Sequence, residues 1–282
     1  MILLLTIGGR TGNQLFQIAY ALSRRAAKEW LISVGFGRTR SLLAGKSKER
    51  WLNIDAPIAR YVIERVLFPV IRRAFILTGL VSLHYENAGE YVVHQGRIRF
   101  FSILKGYFQS TEGMAGDMHS LLRLKPSLRR RAEVVLESVC GGRSPVFIHV
   151  RGSDFEEITV GGGSVRLPDH YYMKALKLLP EPEEGLCYII VGDDPRHAAN
   201  LFKDLGPKYI SNLSVSEDLA LMSLCDGGVL SNSTFAWWGA FFCRSRLGCV
   251  APKYWWGWRI GKWIPSDLRG SFITKYLDPG EN

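Results

Sequence analysis

Short apolar runs alternate with helical segments from Val146 to Cys243, and this alternation restricts the fold more than any other feature of the chain. Strands are expected at Val146–Val150, Cys187–Val191, Tyr209–Ile210 and Gly228–Leu230, and helices at Tyr171–Leu178, Pro195–Leu205, Glu217–Leu224 and Phe235–Cys243. Such a series predicts a parallel sheet covered on both faces, with ligands held at the C-terminal ends of its strands.

The N-terminus opens in the same way. Ile2–Ile7 reads as a strand, Gly8–Gln14 as a glycine-rich loop and Leu15–Lys28 as a helix with apolar residues at helical spacing. Between the two series, Leu42–Leu80 reads as an irregular basic loop and then an amphipathic helix, and Gly106–Ser110 as a strand end. Pro126–Val139 reads as a helix with proline in its first turn, and Gly141–Pro145 as a linker. A chain of 282 residues, 47% of them hydrophobic, has material for two cores. The expectation is an α/β protein with domains over residues 1–142 and 143–282, facing a cleft.

Charge and apolar patterning exclude several other classes. No apolar run reaches the roughly 18 residues of a membrane span. Tyr61–Tyr85 comes nearest, and Glu64, Arg65, Arg72 and Arg73 interrupt it. Met1–Ile7 is too short for a signal peptide and lacks a basic start. The five cysteines, Cys140, Cys187, Cys225, Cys243 and Cys249, lack zinc-like spacing, and a reducing cytoplasm is the simplest setting. The net charge of +10 is uneven: residues 1–73 hold 13 Lys/Arg against 4 Asp/Glu, whereas residues 146–282 hold 14 against 16. A basic N-terminal region suits an anionic membrane surface or an acidic substrate. Nucleic acid is disfavoured, because no recognition motif accompanies the charge.

The residues with the most chemistry sit where strands end. Ser231-Asn232-Ser233-Thr234-Phe235 runs from a buried strand into a helix, followed by Trp237, Trp238 and Gly239. Backbone N–H groups at such a helix start can hold a phosphate, although Ser233 or Thr234 could also be a plain cap. His149, Arg151 and Asp154 lie at the end of Val146–Val150, with His149 and Arg151 on one side by strand alternation. A guanidinium is a fixed fork of donors suited to a diphosphate, while an Arg151–Asp154 ion pair that only ties a loop is the plainer reading. Gly12-Asn13-Gln14 could approach a ligand closely. Asp193 and Asp194 precede Pro195, where a helix cap, a metal or a nucleotide would each use a carboxylate. Asp218 opens another helix, with capping again the plain alternative.

Three of these segments together resemble the alpha-1,2-fucosyltransferases. Gly9-Arg10-Thr11-Gly12-Asn13-Gln14 resembles that family's N-terminal loop, and Ser231–Ala240 its C-terminal motif. His149-Val150-Arg151-Gly152-Ser153-Asp154-Phe155 resembles the His-x-Arg-x-x-Asp motif of alpha-1,2-, alpha-1,6- and protein O-fucosyltransferases. It departs from the commoner His-Val-Arg-Arg-Gly-Asp-Tyr at Gly152, Ser153 and Phe155, which raises the question of whether Arg166 or Arg259 supplies the missing charge.

The resemblance implies a GT-B fold of two Rossmann-like domains, the second holding GDP-fucose and the first facing the acceptor. It implies an inverting transfer of L-fucose from GDP-β-L-fucose to a galactoside hydroxyl, without metal or other cofactor, forming an alpha-1,2 linkage on a glycan such as an O-antigen. Catalysis would fall to Arg151, Asp154, His149 and Asn13, with Glu156 and Glu157 as further candidates for the base. Donor binding would fall to Gly12, Asn13, Gln14, Arg151, Asp193, Asp194, Asp218 and Ser231 to Phe235. Another nucleotide sugar, another acceptor, or a catalytically silent binder are the alternatives. A cytoplasmic protein, peripheral on anionic membrane, is the expected setting.

Overall fold

The computed structural model describes residues 1–5, 7–44, 49–70, 73, 78, 81–87, 90–95, 101–111, 118–266 and 268–281. The chain divides into two compact units, Met1–Lys125 and Pro126–Asn282.

The first unit contains, in order, β1 (Ile2–Leu5), α1 (Thr11–Arg24), β2 (Leu31–Val34), α2 (Gly37–Leu42), β3 (Trp51–Ile54), α3 (Pro57–Val62), β4 (Val81–Asn87), β5 (Glu90–His94), β6 (Phe101–Lys105) and α4 (Met118–Leu121). Its sheet has the order β3-β2-β1-β6-β4-β5. All neighbours are parallel except the edge pair β4 and β5. Leu3, Leu5, Val34, Leu83 and Ile103 form one buried face, onto which Phe68 packs. Gly8 and Gly9 take φ of +95° and +84°, which lets the chain turn sharply from β1 into α1.

That helix begins at Thr11, four residues earlier than the sequence pattern suggests. Gly12, Asn13 and Gln14 therefore occupy its first turn rather than a loop, because the positive-φ glycines complete the reversal before them. The expected region Leu42–Leu80 lies partly outside the described residues. Its described part includes β3, which no periodicity in that basic stretch announced.

The second unit contains α5 (Pro126–Cys140), β7 (Ser144–Val150), a hairpin of β8 (Thr159–Val160) and β9 (Gly163–Ser164), α6 (Asp169–Leu176), β10 (Leu186–Gly192), α7 (Pro195–Leu201), β11 (Lys208–Ile210), α8 (Val215–Leu224), β12 (Gly227–Val229), α9 (Thr234–Phe242), β13 (Gly248–Pro252) and β14 (Lys275–Leu277). Its main sheet is parallel throughout, in the order β11-β10-β7-β12-β13-β14. Counted from β7 this is 3-2-1-4-5-6, the doubly wound order.

Val146, Ile148 and Val150 pack into one core with Tyr171, Tyr172 and Phe202. Alternation turns Phe147, His149 and Arg151 to the other face. There α8 and α9 approach closely: a Cβ on Gly239 would lie 2.6 Å from the Met222 sulfur. Trp237 and Trp238 are fully buried and form an aromatic cluster with Phe241 and Phe272.

The unit boundary falls at Lys125–Pro126 rather than in the glycine run at 141–142. Gly141 and Gly142, at φ of +55° and +85°, make a tight turn from α5 into β7. Helix α5 stays with the second unit, where Arg131 pairs with Glu217 of α8 at 3.0 Å.

Candidate functional site

In a doubly wound sheet the ligand crevice opens where strand order reverses, beyond the C-terminal strand ends. In the second unit β10 and β11 lie on one side of β7, and β12, β13 and β14 on the other. The switch point is therefore between β7 and β12. His149 and Ser231 meet there, the imidazole Nδ1 and the hydroxyl at 2.8 Å. Both are buried, and burial with Arg151 nearby pushes the His149 pKa down to about 4. The imidazole is neutral at pH 7 and positions Ser231 rather than carrying charge.

Arg151 follows β7 directly. One terminal nitrogen donates to Asp154 Oδ1 at 2.6 Å and the other to Asp193 Oδ2 at 2.9 Å. Its guanidinium also lies 5.2 Å above the Phe155 ring centroid. The expected Arg151–Asp154 pair is thus present, with Asp193 as a second clamp from the end of β10. Two polar atoms remain unsatisfied: Arg151 Nε and Asn232 Oδ1 are buried without partners among the described residues. Buried groups of this kind are rare in folded proteins. A spare donor and a spare acceptor of this kind suit a phosphate oxygen and a hydroxyl.

The strand-to-helix segment after β12 is held from several directions. Tyr171 donates to Leu230 O at 2.8 Å, Asn232 Nδ2 to Val165 O at 2.7 Å, and Trp256 Nε1 to Asn232 O at 3.0 Å. Ser233 is the N-cap of α9, its hydroxyl accepting from Phe235 N at 3.3 Å. Thr234 is the first helical residue, and the Phe235 ring lies 5.7 Å from His149. Capping and proximity to His149 thus coexist in this segment.

The acidic candidates separate by what their side chains do. Asp193 accepts the Gly152 N–H at 2.9 Å as well as pairing with Arg151. Asp194 caps α7 by accepting from His197 N at 2.9 Å, the plain role. Asp218 is no cap: Ser214 caps α8 in a capping box with Glu217. Asp218 lies in the first turn, 9% exposed, and accepts from Ser211 Oγ just beyond β11. Burial raises its pKa to about 6.

Gly12, Asn13 and Gln14 belong to the first unit, at its own switch point, where β1 lies between β2 and β6. Gln109, in the loop after β6, donates to Asn13 Oδ1 at 3.0 Å. Thr39 donates to Gln14 Oε1. Gln109 and Ser211 are site neighbours that the sequence reading missed. Gln109 sits in a segment read only as a strand end, and nothing in the sequence marks Ser211.

Arg166 and Arg259 line a pocket of about 490 Å³ with Glu156 and Asp169. Arg166 pairs with Glu156 and meets His197 Nε2 at 3.1 Å. Arg259 stacks 4.2 Å above Trp258 and donates to Ser164 O at 2.7 Å. Among the described residues their bonds run to Glu156, His197 and Ser164, partners that Arg151 does not share.

Gly152 has a negative φ of −120°, and a Cβ there would meet Asp194 Cβ at 3.6 Å and carboxylate oxygens at 4.0 Å. If the site takes the GDP that the resemblance implies, Gly152→Arg is expected to tighten its binding by about fivefold, the effect of one well-placed cation, with a thermal melt to check the fold. Calorimetric titration with GDP reads this directly. Unchanged or weaker affinity would show that Asp193 and Asp194 capture the new cation.

The chain belongs to glycosyl transferase family 11, whose model matches residues 72–256. It is similar to the O-antigen biosynthesis glycosyltransferase WbnK of Escherichia coli, at 32% identity over 126 residues, which span 42% of this chain and 41% of that protein. It is also similar to an alpha-1,2-colitosyltransferase of Escherichia coli, at 23% identity over 88% of this chain and 90% of the other. Among solved structures, the fucosyltransferase NodZ from Bradyrhizobium shares the fold. Its TM-score is 0.53 at 13% identity, covering 86% of this chain and 92% of that one. The fold is thus the α/β GT-B type of these enzymes, with two six-stranded sheets.

Proposed function

We infer that this glycosyltransferase moves L-fucose from GDP-β-L-fucose to a galactoside hydroxyl, with inversion, giving an alpha-1,2 linkage on a glycan of the O-antigen kind. The observation that carries the reading is the switch point of the second unit. A permanently charged Arg151 with a spare buried donor stands there beside a neutral His149–Ser231 pair and the capped start of α9. In this reading the second unit holds the donor.

The acceptor oxygen attacks the anomeric carbon, and the electron pair of the breaking C–O bond passes to the β-phosphate of GDP. Arg151 and the α9 N-terminus stabilise that developing charge. Asp154, bonded to Arg151 and with a side chain 39% exposed, is the carboxylate to which this reading assigns the acceptor's proton. Asp193 is engaged by Arg151 and Gly152, and Asp194 by its helix, roles that need no metal.

A second reading is favoured by the colitosyltransferase similarity: a GDP-colitose donor, fucose without its 3-hydroxyl. A site built to bond that hydroxyl rejects the sugar lacking it, and the converse site does not. Purified protein incubated with GDP-fucose, GDP-colitose or UDP-galactose and a galactoside panel, with EDTA present, distinguishes the readings by product mass. Deoxyhexose transfer unaffected by EDTA is expected. Transfer of only the dideoxy sugar would select colitose. Activity lost in EDTA and restored by magnesium or manganese would return Asp193 and Asp194 to metal ligation.

A further inference from the structure

The helical segment Pro57–Val70 is inverted in polarity. Helix α3 continues through a π-helical turn, Ile63–Leu67, and then residues 68–70, about 21 Å in all. Phe68 N–H bonds to Ile63 O, the five-residue spacing of a π turn. The wide turn sets Ile63 and Phe68 together against the sheet core of the first unit. Lys105 lies 4.9 Å from the Phe68 ring.

The outward side is apolar. Ile58, Tyr61, Val62, Val66, Leu67 and Val70 are between 39% and 81% exposed. A helix on a water-facing surface normally turns polar residues outward. Glu64 is the only acidic residue between Asp55 and Glu86, and it is neutralised by Arg60 at 3.0 Å. Arg65 and Arg73 are exposed, and the sequence adds Arg72. An apolar stripe rimmed by arginine is the pattern of a helix lying in a membrane interface.

We propose that Pro57–Val70 docks the protein on an anionic lipid surface, its stripe entering the headgroup boundary and Arg65 and Arg73 meeting lipid phosphates. The charge balance selects this occupant. Residues 1–73 carry 13 Lys/Arg against 4 Asp/Glu, which attracts anionic lipid and opposes pairing of two copies through one basic face. No helix among the described residues is long and apolar enough to cross a membrane, so the segment lies on the surface. The assignment stands apart from which sugar is transferred.

The test is flotation of the full chain with vesicles of phosphatidylcholine alone and of equal parts phosphatidylcholine and phosphatidylglycerol. Wild type is expected to float with the anionic vesicles at low salt and to dissociate as salt rises. The triple variant Ile58→Glu, Val62→Glu, Val66→Glu alters exposed side chains only, and should cut partition about tenfold with an unchanged circular dichroism spectrum. Arg65→Gln with Arg73→Gln should cut it several-fold, and decides the matter if the triple variant misfolds. Equal partition to neutral vesicles, no wild-type binding, or variants that bind as wild type would overturn the proposal. So would a solution dimer that the triple variant dissolves, since a second copy would then be the occupant.

Discussion

Arg151→Lys is expected to slow sugar transfer about a hundredfold while leaving the fold intact, the scale seen when one preorganised donor to a developing oxyanion is lost. Arg151 spans two carboxylates, Asp154 at 2.6 Å and Asp193 at 2.9 Å, and presents its buried Nε as a spare donor. A lysine ammonium is a point charge on a flexible stem. It can pair with one carboxylate but cannot keep the fork between both or offer a third donor in a fixed plane. The charge survives, so the nearby carboxylates stay compensated and stability should change little.

With the proposed donor GDP-fucose, release of GDP measures the rate, and a thermal melt measures the fold. The two ion pairs also allow a purely structural role, in which Arg151 only ties the loop after β7 to the end of β10. That role predicts the opposite pattern: a lowered melting temperature with transfer per folded molecule preserved. A normally folded lysine variant at nearly full rate would remove Arg151 from the centre of the site.

The sequence disclosed the second unit more fully than the first, for physical reasons. Strands β7 and β10 are continuous apolar runs, and Pro195 behind Asp194 marks a clear helix start, whereas the Ser214–Glu217 box that opens α8 went unread and that start was placed at Glu217. Strands β2 and β3 in the first unit are four residues each, with Ser33, Asn53 and a basic neighbourhood diluting the pattern. What pairs them is register with β1, a long-range property that no local window contains.

The site divides in the same way. Residues carried by strand ends were legible: His149, Arg151, Asp193 and Ser231 fall where α/β chemistry gathers. The Arg151–Asp154 pair was legible with them, but the long-range bonds around the site were not. Gln109 reaches Asn13 across 96 positions, and Asn232 reaches Val165 across 67. The start of α1 was misjudged because Gly8 and Gly9 absorb the whole turn, a conformational fact that the residue types permit without requiring.

Asp218→Asn is expected to stabilise the protein at pH 7.5 and to weaken donor binding at the same time. Burial, the main cause, raises the Asp218 pKa from the ordinary 3.8 to about 6, despite the hydrogen bond from Ser211. The folded chain therefore holds this proton more tightly than the unfolded chain does. The contribution favours folding most below pH 3.8, is lost as pH rises from 3.8 to about 6, and is fully absent above. Two pKa units correspond to about 3 kcal/mol of penalty at neutral pH, an upper scale for the gain on substitution.

Asparagine still accepts from Ser211 Oγ and cannot ionise. Denaturant melts should therefore show the variant ahead by on the order of 1–3 kcal/mol at pH 7.5, with the advantage shrinking toward pH 4.5. A buried carboxylate that is neither a cap nor ion-paired among the described residues, kept at a cost in stability, fits a group retained for binding. If it receives a hydroxyl of the donor's sugar or nucleoside, the amide should lower GDP-fucose affinity about tenfold, since a charge-assisted hydrogen bond becomes a neutral one. A variant with unaltered donor affinity would leave Asp218 as the tie between the end of β11 and the start of α8. One with no stability gain at pH 7.5 would show that the carboxylate is better solvated than its burial implies.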